Sequence, residues 1–376
     1  MARLDEICAI NMGQSPDSST YNEDSNGLPF FQGNADFGEI YPAVRMWCSE
    51  PTKIAQEKDV LISVRAPIGA LNIANCECCI GRGLAALTVN EDICAQEYLW
   101  HELSSKVDEL NSKGTGSTFK AINKKTLSEI EIPLPPLDEQ RKIAAVLDKV
   151  SDLIAKRRQQ LDKLDELVKS RFIELFGDPL VDDGRYPKRA LGALAEVGSS
   201  KRIFEKEYVA EGVPFYRTKE IVELSKGNRI TTELFITRER YDEIRDEYGV
   251  PQKGDLLISA VGTIGVIWIV DGQNDFYFKD GNLLRVAATE RFAPTYLKHL
   301  LESLIGAYKQ EMSSGTAYAA LTISALKEMQ VYEVPLAEQE QFAAFVAQTD
   351  KSKLAVQQGL QELEILKKSL MQEYFE

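Results

Sequence analysis

GSTFKAINKKTLSEIEIPLPPLDEQ (residues 116–140) returns as GTAYAALTISALKEMQVYEVPLAEQ (residues 315–339). Gly116, Leu127, Pro136, Leu137, Glu139 and Gln140 match Gly315, Leu326, Pro335, Leu336, Glu338 and Gln339, each pair 199 residues apart with no gap. Self-similarity at a fixed separation marks a repeated structural unit. Upstream the likeness continues with changing offsets. DVLISVRAPIGALNIA (59–74) resembles DLLISAVGTIGVIWIV (255–270) at 196 residues, and LPFF (28–31) resembles VPFY (213–216) at 185. Such drift means loops of different length on a shared scaffold. The chain therefore reads as two copies of one unit, each a globular head followed by a long helix.

Each head reads as mixed α/β. Short Val/Ile/Leu runs such as VLISV (60–64) and LLISAV (256–261) alternate with Gly, Asn, Asp and Pro turns, the strand signal. Helical pieces lead up to Ser104 and Leu301, and prolines close the strands EIEIPLP (129–135) and MQVYEVP (329–335). After Pro136 no Pro or Gly occurs until Gly177, a natural helix stop. Ile143, Val146, Leu147, Val150, Leu153, Ile154, Leu161, Leu164, Val168, Phe172 and Leu175 recur at three- and four-residue spacing. Phe342, Phe345, Val346, Val356, Leu360, Leu363, Leu366, Leu370 and Tyr374 form a second stripe, which weakens near Thr349, Ser352 and Lys353. At 1.5 Å per residue each helix is about 60 Å long. Neither can bury such a face on one small head, so the two are expected to pair as a coiled coil, antiparallel if a two-fold relates the repeats. The expected segments are a first head at 1–136, a helix at 137–177, a second head at 178–334 and a helix at 335–376.

Composition narrows the function. The 376 residues carry 44 Lys+Arg against 58 Asp+Glu, a net charge of −14, with 44% hydrophobic residues. This is an ordinary globular balance and argues at first sight against nucleic acid. The acid is uneven, however. Residues 138–174 hold nine basic and eight acidic side chains, whereas residues 336–376 hold four and seven. The start, MARLDEICAINMG, has no apolar core of signal length, and LLISAVGTIGVIWIV (256–270) is too short to span a bilayer. The expected compartment is the cytoplasm, with no membrane partner. Cys76, Cys78 and Cys79 in CECC suggest zinc, but four ligands in two spaced pairs are lacking, so reduced thiols in a strand are the expectation. His101 and His299 read as half-exposed helical histidines. There is no phosphate loop, dinucleotide fingerprint, nucleophile elbow or H-E-x-x-H. No catalytic and no metal residues are expected in this chain.

Two heads on a fixed rod can hold two objects at a set distance. About 60 Å corresponds to roughly 18 base pairs, so the heads could address two DNA half-sites. At this point the tandem junction becomes specific. GSTFKAINKKTLSEIEIPLPPLDEQRKIAAVLD (116–148) with its copy at 315–347 resembles the specificity subunit of type I restriction-modification systems. The head segments LPFFQGNADFG (28–38), VLISVRAPIG (60–69), GRGLAAL (81–87) and SRFIELFGDP (170–179) fit as well. The resemblance covers essentially the whole chain. It implies an α+β fold with two pseudo-two-fold-related target recognition domains separated by two long antiparallel coiled-coil helices. Each head would read half of a bipartite double-stranded DNA target, and the helices would set the gap. Two methyltransferase subunits would dock here and methylate adenine N6 with S-adenosylmethionine, and restriction subunits would add ATP and Mg chemistry. This chain itself would hold no cofactor. The second junction, VYEVPLAEQEQ, departs from the pattern by lacking the Pro-Pro and the basic residues of LPPLDEQRK.

Contacts are expected residue by residue. Gly116, Ser117, Thr118, Lys120 and Lys124, with Lys125, form a loop suited to phosphate. Gly315 and Thr316 are its lysine-free second copy, the weaker clamp. Base readers must be Arg, Lys, Asn or Gln within reach of a groove. The candidates are Gln14, Ser15, Gln32, Asn34, Arg65 and Arg82 in the first head, and Lys201, Arg202, Arg217, Lys219 and Lys279 in the second. Singly, each could equally be a solvated side chain. The competing function is a two-headed protein-interaction scaffold with no DNA role, motivated by the −14 charge. A stand-alone methyltransferase is disfavoured by the missing D/N-P-P-Y/F motif.

Overall fold

The computed structural model describes residues 1–116, 120–313 and 320–375. It divides into two compact units, one of residues 1–158 with 358–376 and the other of residues 159–357. The division cuts through both long helices, Leu137–Phe176 and Leu336–Phe375. Each unit is thus a head closed by half of each helix.

In the first unit a four-stranded antiparallel sheet runs in the order Cys8–Met12, Leu84–Val89, Val60–Ser63, Leu71–Ile73. A second, mixed sheet is built around Leu28–Phe31, which lies parallel to Cys78–Ile80 with Phe30 opposite Cys79. In the second unit the same order recurs as Val197–Gly198, Leu283–Val286, Leu256–Ser259, Ile267–Ile269. Again a parallel pair stands beside it, Val213–Tyr216 with Tyr277–Phe278. The apolar run 256–270 is therefore two strands joined through Gly262 and Gly265, both at positive φ (73° and 86°) that side chains other than glycine resist. The offset between the repeats grows from 185 to 196 residues, and in that interval the second unit carries two helices, Thr218–Ser225 and Arg238–Tyr248.

The repeat extends to individual hydrogen bonds. Leu4 N donates to Ile130 O (2.8 Å) and Leu191 N to Met329 O (2.9 Å). Ser63 Oγ donates to Pro67 O and accepts from Ala70 N (2.9 Å), while Ser259 Oγ donates to Thr263 O and accepts from Val266 N (2.9 Å). The Glu-Gln of each junction has a structural purpose. Buried Gln140 accepts from Ala95 N (2.9 Å) and donates to Ile93 O (3.2 Å) and Pro135 O (2.8 Å). Buried Gln339 accepts from Ala293 N (2.8 Å) and donates to Arg291 O (3.0 Å) and Val334 O (2.8 Å). One amide thus satisfies three backbone groups where strand, head helix and long helix meet.

The long helices run antiparallel in each unit. In the first, Arg158 pairs with Glu364 (2.8 Å), and Ile143, Ala144 and Leu147 share a core with Leu370 and Met371. In the second, Asp165 pairs with Lys353 (2.6 Å), and the Phe172 and Phe342 rings meet edge-on at 5.3 Å. They also pack on the heads: Phe172 and Phe176 stack against Tyr296. This divides the apolar stripe. Ile143, Leu147, Val150 and Ile154 are buried, whereas Val146 and Leu153 stay exposed, contrary to the reading that placed them all on one buried face.

One further reading changes. His101 is buried rather than half-exposed, with Nε2 2.7 Å from Asp148 Oδ1, because its helix Gln96–Ser105 lies under the first long helix. Burial holds its imidazole below the usual histidine range. His299 is partly exposed and pairs with Glu302 (3.1 Å). Cys78 and Cys79 lie within the parallel strand Cys78–Ile80, and burial pushes the Cys78 thiol up to about 12. Among the described residues no group of three or more His, Cys, Asp or Glu is placed to hold a metal ion. No described helix is long and apolar enough to cross a membrane.

Candidate nucleic-acid interface

In the first unit the expected readers converge, although they are spread over more than 100 residues of chain. Five loops meet at one end of the antiparallel sheet. Gln14 N donates to Ile80 O (3.0 Å), Arg82 N to Ser15 Oγ (3.3 Å), Gly83 N to Gln32 O (3.1 Å), Val64 N to Gly83 O (2.9 Å) and Ala66 N to Lys120 O (3.1 Å). Residues 13–15, 32–36, 65–66, 81–83 and 120–121 are thereby knitted by their backbones. Two glycines make the approach possible: a Cβ on Gly13 would collide with the Gly81 carbonyl, and one on Gly83 with the Gln32 carbonyl.

The loop 32–36 is closed by a residue that sequence reading passed over. Asp36 Oδ2 accepts from Gln32 N (2.7 Å) and Gly33 N (3.4 Å), which fixes the backbone from which Gln32 and Asn34 project. Gln32, Asn34 and Arg65 then line one cleft of about 440 Å³ with Phe30, Asp36 and Arg45. Arg45 was also missed. It lies 20 residues from Arg65 in the chain and reaches the cleft by pairing with Asp36 (3.7 Å). The i, i+4 spacing of Asp36 after Gln32 was the available signal.

Arg65, Arg82, Lys120 and Lys124 are exposed, and among the described residues no carboxylate lies within 4.0 Å of them. Lys124 opens the helix Lys124–Ser128, capped by Asn123, and Lys125 beside it faces Glu129 at 3.9 Å. Gly116 sits at φ 123° at the mouth of this loop. Ser117 and Thr118 lie outside the described residues, as do Gly315 and Thr316 in the second unit.

The second unit keeps the geometry and changes the charge. Ser199 Oγ accepts from Gly281 N (3.2 Å) as Ser15 does from Arg82 N, and Lys279 N donates to Tyr216 O (2.9 Å) as Gly81 N does to Phe31 O. Arg65 pairs its backbone with Ala121, and the matching bridge joins Val261 to Ala320, so the arginine has a valine counterpart. Lys124 opens its helix where Ile323 opens the second copy. Of the five cations expected here, carboxylates hold the two arginines, whereas Lys201, Lys219 and Lys279 have no carboxylate within 4.0 Å among the described residues. Arg202 pairs with Asp280 (2.9 Å), and Arg217 with buried Glu220 (2.9 Å). Burial raises the Glu220 carboxyl, but the hydrogen bonds from Arg217 outweigh it and hold it below the usual carboxylate range. Lys201 Nζ lies 4.6 Å above the Tyr248 ring and 3.2 Å from its hydroxyl, in a second pocket lined by Ser200 and Tyr277. Lys219, in the helix Thr218–Ser225, has no carboxylate within 4.0 Å among the described residues.

A first cluster that presents four cations with no carboxylate within 4.0 Å among the described residues, beside amide side chains, can hold phosphates and read base edges. Comparison with known proteins agrees with that chemistry. The family model described as "Type I restriction modification DNA specificity domain" matches residues 1–166 and again 185–365. A Methanocaldococcus jannaschii protein provisionally named the type I restriction enzyme MjaX specificity subunit is 44% identical over 160 residues, 43% of this chain and 38% of that protein. The type I restriction enzyme MjaIX specificity subunit of the same organism is 32% identical over 49% of this chain and 46% of its own length. These matches thus span under half of either relative. The crystal structure of a type I restriction-modification system S subunit from M. genitalium shares the fold at a TM-score of 0.58, with 16% identity over 98% of this chain and 94% of that one. With both repeats matched by the family model, this chain belongs to the type I restriction-modification DNA specificity family.

Proposed function

We propose that this chain is the DNA-recognition subunit of a cytoplasmic type I restriction-modification methyltransferase, each head reading one half of a bipartite target. The observation that carries this is the five-loop cluster of the first unit, where Arg65, Arg82, Lys120 and Lys124 have no carboxylate within 4.0 Å among the described residues, on a chain of net charge −14. Free cations on an acidic protein imply a polyanionic partner. The uninterrupted helices Leu137–Phe176 and Leu336–Phe375 suit a spacer that sets the base pairs between half-sites. Two methyltransferase subunits, carrying S-adenosylmethionine, would supply adenine-N6 methylation. Restriction subunits with ATP and Mg would be further partners. The acidic total suggests weak binding by the chain alone, with more basic partners closing around the duplex.

Co-purification with the methyltransferase encoded beside this gene, followed by electrophoretic shifts on genomic fragments, tests the proposal. Methylome sequencing with and without the gene should return one bipartite motif that depends on it. If no methyltransferase co-purifies and binding is insensitive to salt, the protein-scaffold reading prevails instead.

A further inference from the structure

The loop 38–45 of the first unit is fastened at three points. Fully buried Asn72 grips Gly38 from both sides, donating to its carbonyl (3.0 Å) and accepting from its N–H (3.3 Å). Ile73 N donates to Ile40 O (2.8 Å), and Ala43 N to Asp36 O (2.8 Å). Pro42 is buried beneath the turn. A loop held this firmly could turn its apolar side chains inward. It does not: Ile40 is 48% exposed, Tyr41 53% and Val44 38%. An exposed apolar cluster on a fixed backbone marks an interaction site.

The surroundings say which kind. Val44 is followed by Arg45, which lines the same cleft as Gln32, Asn34 and Arg65. The apolar tip is thus joined through the chain to a cationic, amide-bearing cleft. Glu39 within the turn makes the tip itself unsuited to phosphate, which leaves the faces of bases as its complement. Apolar side chains inserted at a base step unstack it, and an aromatic ring stacks on any base. Building on the DNA-recognition reading above, we propose that Ile40, Tyr41 and Val44 form a wedge that packs into an opened base step of duplex DNA beside the half-site read by the first unit.

The test uses the chain in complex with its methyltransferase and a duplex carrying the bipartite site found by methylation mapping, with 2-aminopurine placed in each half-site in turn at base steps away from the methylated adenine, which the methyltransferase itself takes out of the stack. Binding should raise the fluorescence in one half-site. Tyr41→Ala and Ile40→Ser should weaken binding about ten- to a hundredfold and remove the rise, with the salt dependence unchanged. Arg45→Ala, which removes a cation already paired with Asp36, should instead lower the salt slope by less than 1 and leave the rise in place. Leu180→Ser, at an equally exposed apolar residue of the second unit (58%), should alter neither and serves as the folding control. Tip variants that bind and brighten like the parent overturn the wedge. So do tip variants that lose the methyltransferase rather than the DNA. If the parent complex shifts no duplex at all, the recognition reading fails with it; if the parent binds the duplex but no base step brightens, recognition stands and the wedge alone falls.

Discussion

Replacing Glu102 with leucine should stabilise the first unit at alkaline pH and change it little at acid pH. Glu102 lies in the helix Gln96–Ser105 with no exposed surface. Neither carboxyl oxygen has a hydrogen-bond partner of good geometry, although Lys106 Nζ stands 3.3 Å from Oε1. We give the burial more weight than the ion pair, because the lysine satisfies one oxygen at most. Burial pushes the carboxyl up to about 7, against a partial lowering by Lys106. The folded state therefore holds a proton on Glu102 that the unfolded chain gives up near 4.5. The stabilisation is complete below 4.5 and is lost as pH rises through 7. A shift of that size is worth about 3 kcal/mol between pH 4.5 and 8.5. The second unit shows what the position accepts: Leu300, 198 residues on, is fully buried there. Denaturant unfolding of parent and Glu102→Leu should be followed from pH 5 to 8.5. Their difference should grow by about 3 kcal/mol, or roughly 6–12 °C in Tm for a unit of this size. Subtraction also removes His101, whose lowered basicity costs stability on the acid side in both proteins. A difference that stays flat with pH would refute the reasoning, because it would mean that Glu102 is ionised in the folded protein.

Other outcomes follow from the repeat and its charges. Gln140→Ala and Gln339→Ala should each destabilise their own unit by about 3 kcal/mol, since each strands three buried backbone groups, and calorimetry resolves the two. Alanine at Arg65, Arg82, Lys120 and Lys124 together should reduce the slope of log affinity against log salt by about 3–4. The same change at Arg202 and Arg217, already paired with carboxylates, should reduce it by less than 1. Four residues inserted after both Arg157 and Gly359, which face each other in the first unit, should widen the mapped gap by about two base pairs with both half-sites unchanged. Methylation mapping that shows altered half-sites and an unaltered gap would count against the spacer role.

The sequence by itself determined the repeat, the two helices and the absence of familiar catalytic motifs. These are local properties: a 3.6-residue period, Pro136 and Gly177 as boundaries, and a junction copied in register. The drift in offset also announced connections of different length, and the longer one in the second unit carries the helices Thr218–Ser225 and Arg238–Tyr248. It could also nominate Gln32, Asn34, Arg65 and Arg82, because residue chemistry is readable one position at a time. What only the tertiary structure decided is who meets whom. Hydrophobic periodicity marks an apolar stripe but not its partner, so Val146 and Leu153 read like their neighbours and yet face solvent. Burial of His101 depends on a helix that begins more than 30 residues later, through Asp148. The Asp36 lock, the place of Arg45 in the cleft and the capture of Arg217 by Glu220 depend on side-chain distances, which spacing along the chain does not encode. Two heads with one topology therefore differ in charge available to a ligand, because ion pairing is settled by a few ångströms in space.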